Sequence, residues 1–173
     1  MLTGAMMLFD KTDISERADN FRLIERKRIE VETDLGCKDT RTLFRWWHSF
    51  SPSFPSRTDF DITAVPSIAS NIYLIEVIAP GKYLYRLCGQ TVGDLVGRSL
   101  RMADISLESP KFEDRKLAEY LDELVENDSS CSCSGDLSFF DKKFLKFESF
   151  DCPLKDEDGT ITHFVGVLCE APK

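Results

Sequence analysis

The hydrophobic pattern is sharpest in the last third of the chain. Lys142–Leu154 is rich in Phe and partly alternating, and Ile161–Cys169 is a β-branched, apolar run. Both patterns predict strands. Between them Asp156-Glu157-Asp158-Gly159 supplies a tight turn, where Gly takes positive φ at little cost and Asp supports the bend. Ile72–Ile78 and Tyr83–Cys88 are two more apolar runs, joined by Ala79-Pro80-Gly81-Lys82, and read as an antiparallel hairpin. Alternation puts Tyr83, Tyr85 and Leu87 on one face and Leu84, Arg86 and Cys88 on the other. Ser129–Phe140 reads as a partly polar strand leading into the Phe-rich run. The expected architecture is α+β, with a five-stranded antiparallel sheet near 72–78, 83–88, 130–139, 142–153 and 161–169 and with flanking helices.

A period of 3.6 marks the helices. Ser109-Pro110 suits a helix start, a capping hydroxyl followed by Pro in the first turn. Leu117, Tyr120, Leu121, Leu124 and Val125 then form one stripe, predicting the longest helix over 110–126. Asp39 precedes a second segment in which Leu43, Trp46, Trp47 and Phe50 follow the i, i+3, i+4, i+7 rule, with His48 on the polar side and Ser51-Pro52 as the stop. Thr63 caps a short helix with Pro66 in its first turn. Asp13–Leu35 is strongly charged, with Ile14, Phe21, Ile24, Val31 and Leu35 near one helical stripe that Arg28 interrupts. Arg28–Thr33 also alternates and reads equally as a short strand. Residues 1–36 are therefore an N-terminal extension, helical in the first reading, and 37–171 the domain proper. The extension either packs on its own domain or joins two copies of the chain.

Several of these stretches resemble PAS domains. Asp156-Glu157-Asp158-Gly159-Thr160-Ile161 followed by His163-Phe164-Val165-Gly166-Val167-Leu168 is similar to the closing PAS hairpin. Trp46 or Trp47, Pro55, Arg57, Asp59, Asp61, Arg86, Leu87 and Gly89 occur in the order of a bacterial, alphaproteobacterial-type PAS subfamily of small stand-alone proteins. The likeness runs from about Asp39 to Cys169. Gly89-Gln90 stands where that subfamily has Gly-Thr, and the stretch up to Gly97 is shorter. The resemblance implies a bacterial sensory or interaction module that acts in trans, with no output domain. It also implies a small ligand or protein partner, and a homodimer.

Composition narrows the chemistry. The chain has 173 residues, 13 Phe and a net charge of −8. An acidic surface repels phosphate backbones, so nucleic acid is not an expected partner. No apolar run reaches the roughly 18 residues that span a bilayer, and the short apolar start lacks the basic residues of an export signal. The six cysteines then read as reduced, mostly buried cytosolic thiols. Cys131 and Cys133 share a strand face, but structural zinc takes four ligands and the chain holds only His48 and His163 besides cysteines and acids. No metal site is expected, and no cofactor can be named.

No nucleophile–base pair presents itself, so no catalytic residue is expected. The one alternative is a small α+β pocket enzyme or lyase using His163 with a nearby carboxylate, Asp151. Candidate ligand contacts are Trp46, Arg57, Tyr85, Arg86 and Phe147. Arg86 lies in an otherwise apolar strand. A buried guanidinium must be paired, and Asp59 and Asp61 are the expected partners. Alternatively Arg86 anchors an anionic ligand.

Overall fold

The computed structural model describes residues 12–13, 21–137 and 145–172. Its elements run β1 (Thr12–Asp13), β2 (Phe21–Arg28), α1 (Lys38–His48), β3 (Ile72–Ala79), β4 (Lys82–Cys88), α2 (Gln90–Val96), β5 (Asp104–Ser106), α3 (Phe112–Asn127), β6 (Cys131–Leu137), β7 (Lys146–Lys155) and β8 (Ile161–Glu170). All eight strands form one antiparallel sheet in the order β1-β2-β6-β7-β8-β3-β4-β5. The five expected strands are its centre. The start of the Phe-rich run, through residue 144, lies outside the described residues.

The β7–β8 hairpin is built as its sequence demands. Asp156 Oδ1 accepts from the backbone N–H groups of Asp158 (3.0 Å) and Thr160 (2.9 Å). Gly159 sits at φ +79°, a conformation that side chains resist.

The pleat sends alternate residues into two cores. On the inner face Tyr73, Ile75, Tyr83, Tyr85, Phe147, Phe164 and Leu168 pack under α2 and the α3 stripe of Leu117, Tyr120, Leu121 and Leu124. On the outer face Ile72, Leu74, Phe150, Cys152, Leu154, Val165 and Val167 meet Leu43 and Phe44 of α1. Each buried Leu or Phe contributes about 1.5–3 kcal/mol relative to leaving it exposed. Trp47 closes this layer, donating from Nε1 to the carbonyl of Pro153 at 3.0 Å.

Three expectations are corrected. The helix expected over Asp13–Leu35 is not formed in its described part. Phe21–Arg28 is a strand, and Glu32–Asp34 a single 3₁₀ turn. The edge of β6 offers unpaired backbone groups, and β2 satisfies them from Phe21↔Leu137 to Arg28↔Cys131, which outweighs a weak helical stripe. The alternative short strand over Arg28–Thr33 shares only Arg28 with the observed one.

β4 does not alternate cleanly. Leu74 faces Leu87 but Ile75 faces Tyr85, so Arg86 is an extra residue in a bulge. Leu87 therefore packs on the outer core, while Tyr83, Tyr85 and Cys88 serve the inner one.

α3 starts at Phe112 rather than at Pro110. Ser109 Oγ accepts from the N–H of Lys111 (3.2 Å) and donates to Asp114 (3.0 Å), holding a turn ahead of the helix. Asp128, at φ +53°, ends it one residue past Asn127.

Candidate functional site

The inner core holds a carboxyl group. Asp151 is 0% exposed, at an inward position of β7 between Phe150 and Cys152, which point outward. Tyr120 on α3 donates to its Oδ2 at 2.6 Å, and Tyr73 on β3 donates to Oδ1. An ionised carboxylate in such a place costs several kcal/mol unless it is hydrogen-bonded, and these two phenols supply that from separate elements. Gly166 faces Asp151 across the β7–β8 ladder. A Cβ on Gly166 would lie 2.1 Å from the Tyr73 ring, so only glycine lets that ring lie flat over the strand.

The surroundings of this centre are thiol and aromatic. Cys131 and Cys133 share its face, as the i, i+2 spacing predicts. Burial pushes the Cys131 thiol well up, with Cys133 and Asp151 adding to the effect. It is an inert core thiol rather than a nucleophile. Arg26 on β2 lays its guanidinium 5.0 Å from the centroid of the Tyr120 ring and reaches Glu123 at 3.4 Å. Its Nε is buried without a hydrogen-bond partner among the described residues.

A second site lies on the outer face. Arg57, Thr58, Phe60, Asp61, Ile62, Leu74, Arg86 and Leu87 line an open cavity of about 370 Å³. Its floor is apolar and its rim carries two guanidinium groups. His163, on the same face of β8, is half-buried beside them. Burial holds its imidazole below the ordinary value. Glu76 opposes that effect, and Arg57 and Arg86 reinforce it.

The expected site residues separate into these two places. Tyr85 and Phe147 are buried in the inner core. Arg57 and Arg86 border the outer cavity. Trp46 lies near it, edge-on to Phe60 at 5.3 Å. No single pocket holds all five.

The expected burial of Arg86 and its tie to Asp59 or Asp61 are not found. Its side chain is 44% exposed, because the bulge lifts it off the ladder, and its Nε bonds Glu76. Asp59 instead accepts from the N–H (2.7 Å) and hydroxyl (2.9 Å) of Ser56. Asp61 caps Thr63, accepting from its N–H (2.9 Å) and hydroxyl (2.8 Å). These bonds, the backbone one foremost, hold the Asp61 carboxyl below the usual range.

The His163–Asp151 pair of the enzyme alternative also fails. His163 pairs with Leu154 and Glu76 on the outer face, whereas Asp151 points inward. They lie on opposite faces of the sheet, so neither can take the other's proton. Among the described residues no three His, Cys, Asp or Glu side chains are grouped to hold a metal, and no helix is long and apolar enough to cross a membrane.

Sequence reasoning missed Asp151 as a structural centre, together with Tyr73, Tyr120 and Gly166. A signal existed. Counting by twos from Phe147 passes Ser149 and reaches Asp151, a charge on the face that Phe147 buries.

Comparison with known proteins adds a family. A family model described as a PAS domain matches residues 36–169. No curated protein matches the sequence. Among solved structures, the dark form of the blue-light photoreceptor Aureochrome1 LOV aligns with 16% identity and a TM-score of 0.45. It covers 65% of this chain and 83% of that one. An RNA-binding light-oxygen-voltage receptor aligns with 16% identity and a TM-score of 0.43. That match covers 69% of this chain and only 36% of the receptor. The N-terminal domain of a diguanylate cyclase with PAS/PAC sensor from Marinobacter aquaeolei shows 11% identity and a TM-score of 0.41, over 57% of this chain and 92% of that one.

Proposed function

The chain belongs to the PAS domain family, and from that premise we propose that it is a small sensory and interaction module that reports by binding. It takes up a small ligand, meets a protein partner or a second copy, and performs no catalysis. The observation that carries this reading is the Tyr73–Asp151–Tyr120 centre between the sheet and α3. A fully apolar layer would hold α3 at least as strongly, since buried charges seldom add net stability. What the polar centre adds is a sharply defined docking position. Any shift of α3 along the sheet strips hydrogen bonds from a desolvated carboxylate, so intermediate positions are penalised and two discrete ones are favoured. That is a useful property for a module that must report a binding event, and it serves no bond-breaking step. With Tyr73, Tyr83, Tyr120, Phe147 and Phe164 filling the inner layer, ligand and partner are expected on the outside of the fold. The cytosol, and partners other than nucleic acid, suit a net charge of −8 and six free thiols.

Native mass spectrometry combined with sedimentation velocity tests the reading on freshly purified protein. A retained small molecule, a co-purifying protein or a concentration-dependent dimer is the expected result. A bare monomer at every concentration, with no compound shifting its melting temperature, overturns it.

A further inference from the structure

We propose that the outer cavity between Phe60, Leu74 and Leu87 is a binding site for a small organic carboxylate with an apolar body. Three observations carry this. First, the cavity's volume of about 370 Å³ lies at the small end of the range of ligand pockets, about 300–1,000 Å³. Its floor is made of side chains that already pack on the outer core, so it is formed before anything binds. Second, its two arginines have donors to spare. Arg57 gives only one hydrogen bond, from Nη1 to the carbonyl of Phe60 at 3.3 Å, and has no carboxylate partner among the described residues. Arg86 uses Nε for Glu76 and leaves its two terminal nitrogens without a carboxylate. A guanidinium edge of two N–H donors matches a carboxylate in plane.

Third, the charges near the cavity are balanced in a way that selects the ligand's charge. Arg57 and Arg86 stand against Asp61 and Glu76. Asp61 is committed to Thr63 and Glu76 to Arg86. With the charge of Arg86 already met by Glu76, the fork of Arg57 suits a single negative charge. A doubly charged phosphate would also meet Asp61 in the lining. His163, held neutral by burial, adds no cation at neutral pH. In a chain with 30 acidic residues against 22 basic ones, an arginine left without an acid beside an apolar cavity is a placed group.

The site deepens the sensory reading, and its test is independent of that reading. A chain that retains another molecule or partner yet ignores the probes below would lose this site and keep its sensory role. Isothermal titration calorimetry of the full chain compares hexanoate, hexanamide and inorganic phosphate. Hexanoate is expected to bind with Kd below about 1 mM. Hexanamide should bind about tenfold or more weakly, since it lacks the charge that strengthens the fork. Phosphate should bind no better than hexanamide. Arg57→Gln should weaken hexanoate about tenfold while melting like the wild type, because Arg57 is exposed and gives up one long bond. Should that variant unfold, Arg57→Lys keeps the charge and loses the fork, and a several-fold loss is expected. Silence toward hexanoate overturns the proposal. So does equal binding of hexanamide, phosphate binding that matches hexanoate, or arginine variants that bind like the wild type.

Discussion

Tyr120 on α3 and Asp151 on β7 meet at 2.6 Å in a region with no solvent access to the carboxylate, and this bond joins the longest helix to the middle of the sheet. Tyr73 completes the arrangement from the neighbouring hairpin. Removing either phenol oxygen leaves a buried acceptor short of a donor. Tyr120→Phe and Tyr73→Phe are each expected to cost about 1.5–3 kcal/mol, the range for hydrogen bonds to charged groups. Urea unfolding of the two single variants and the double variant measures this. Single losses under about 0.5 kcal/mol would show that Asp151 does not depend on these phenols.

Gly166 is fixed by contact. In Gly166→Ala the new methyl would have to displace the ring of Tyr73, which in turn carries the hydroxyl bonded to Asp151. Steric and polar losses then fall together, and about 3 kcal/mol or more is expected. The same variant made in a Tyr73→Ala background should cost far less, since its obstacle is gone. Comparable losses in both backgrounds would contradict the mechanism.

Glu148 caps α1 from a distance in sequence. Its carboxylate accepts from the N–H of Gly36 (2.9 Å), the N–H of Cys37 (3.0 Å) and the hydroxyl of Thr40. The two N–H groups belong to the residues that lead into the first turn and Thr40 lies within it, so the carboxylate sits at the positive end of the helix. Glu148→Ala is expected to loosen α1 at a cost of about 1–2 kcal/mol, as for loss of a strong cap. The chain's two tryptophans both lie on α1, so their fluorescence reports it selectively. An emission transition that coincides with the wild type's would count against the cap.

His163 sets a pH response. Burial lowers its pKa in the folded chain below the ordinary value of about 6.5. The folded state therefore binds fewer protons than the unfolded one across that interval. Stability from this group is complete above about pH 6.5 and falls as pH drops from there through the folded value. Melting between pH 7.5 and 5.5 should show this decline, and His163→Gln should flatten it. An NMR titration of the ring with a midpoint above the ordinary value would reverse the sign and refute the assignment.

The five central strands, the acidic turn and the long helix were legible because their signals are local. Asp156 and Gly159 act within one turn, and the α3 stripe repeats within one element. Phe21–Arg28 was misread because its fold is decided by β6, more than a hundred residues away, whose free edge has no trace in the local pattern. The candidate site was half legible. Arg57 and Arg86 do border one cavity, whereas Arg86 was given the wrong partner, because Glu76 is brought beside it only by the hairpin register. Asp151 enters the sequence reading only as a partner for His163. Its role depends on Tyr73 and Tyr120, which lie far from it in sequence and reach it from two different elements.

The bulge at Arg86 makes β4 a strand in two phases. Before it, odd-numbered residues serve the layer under α3. After it, the even-numbered Cys88 does. Deleting Arg86 would close the bulge and leave a strand in a single phase, with Leu87 still opposite Leu74 and Cys88 still opposite Tyr73. The contents of both layers would stay in place. What would go is the bond to Glu76 and one guanidinium at the outer cavity. The one residue that breaks the rhythm of β4 is thus the one the sheet can spare, and both its substitution and its deletion should be tolerated.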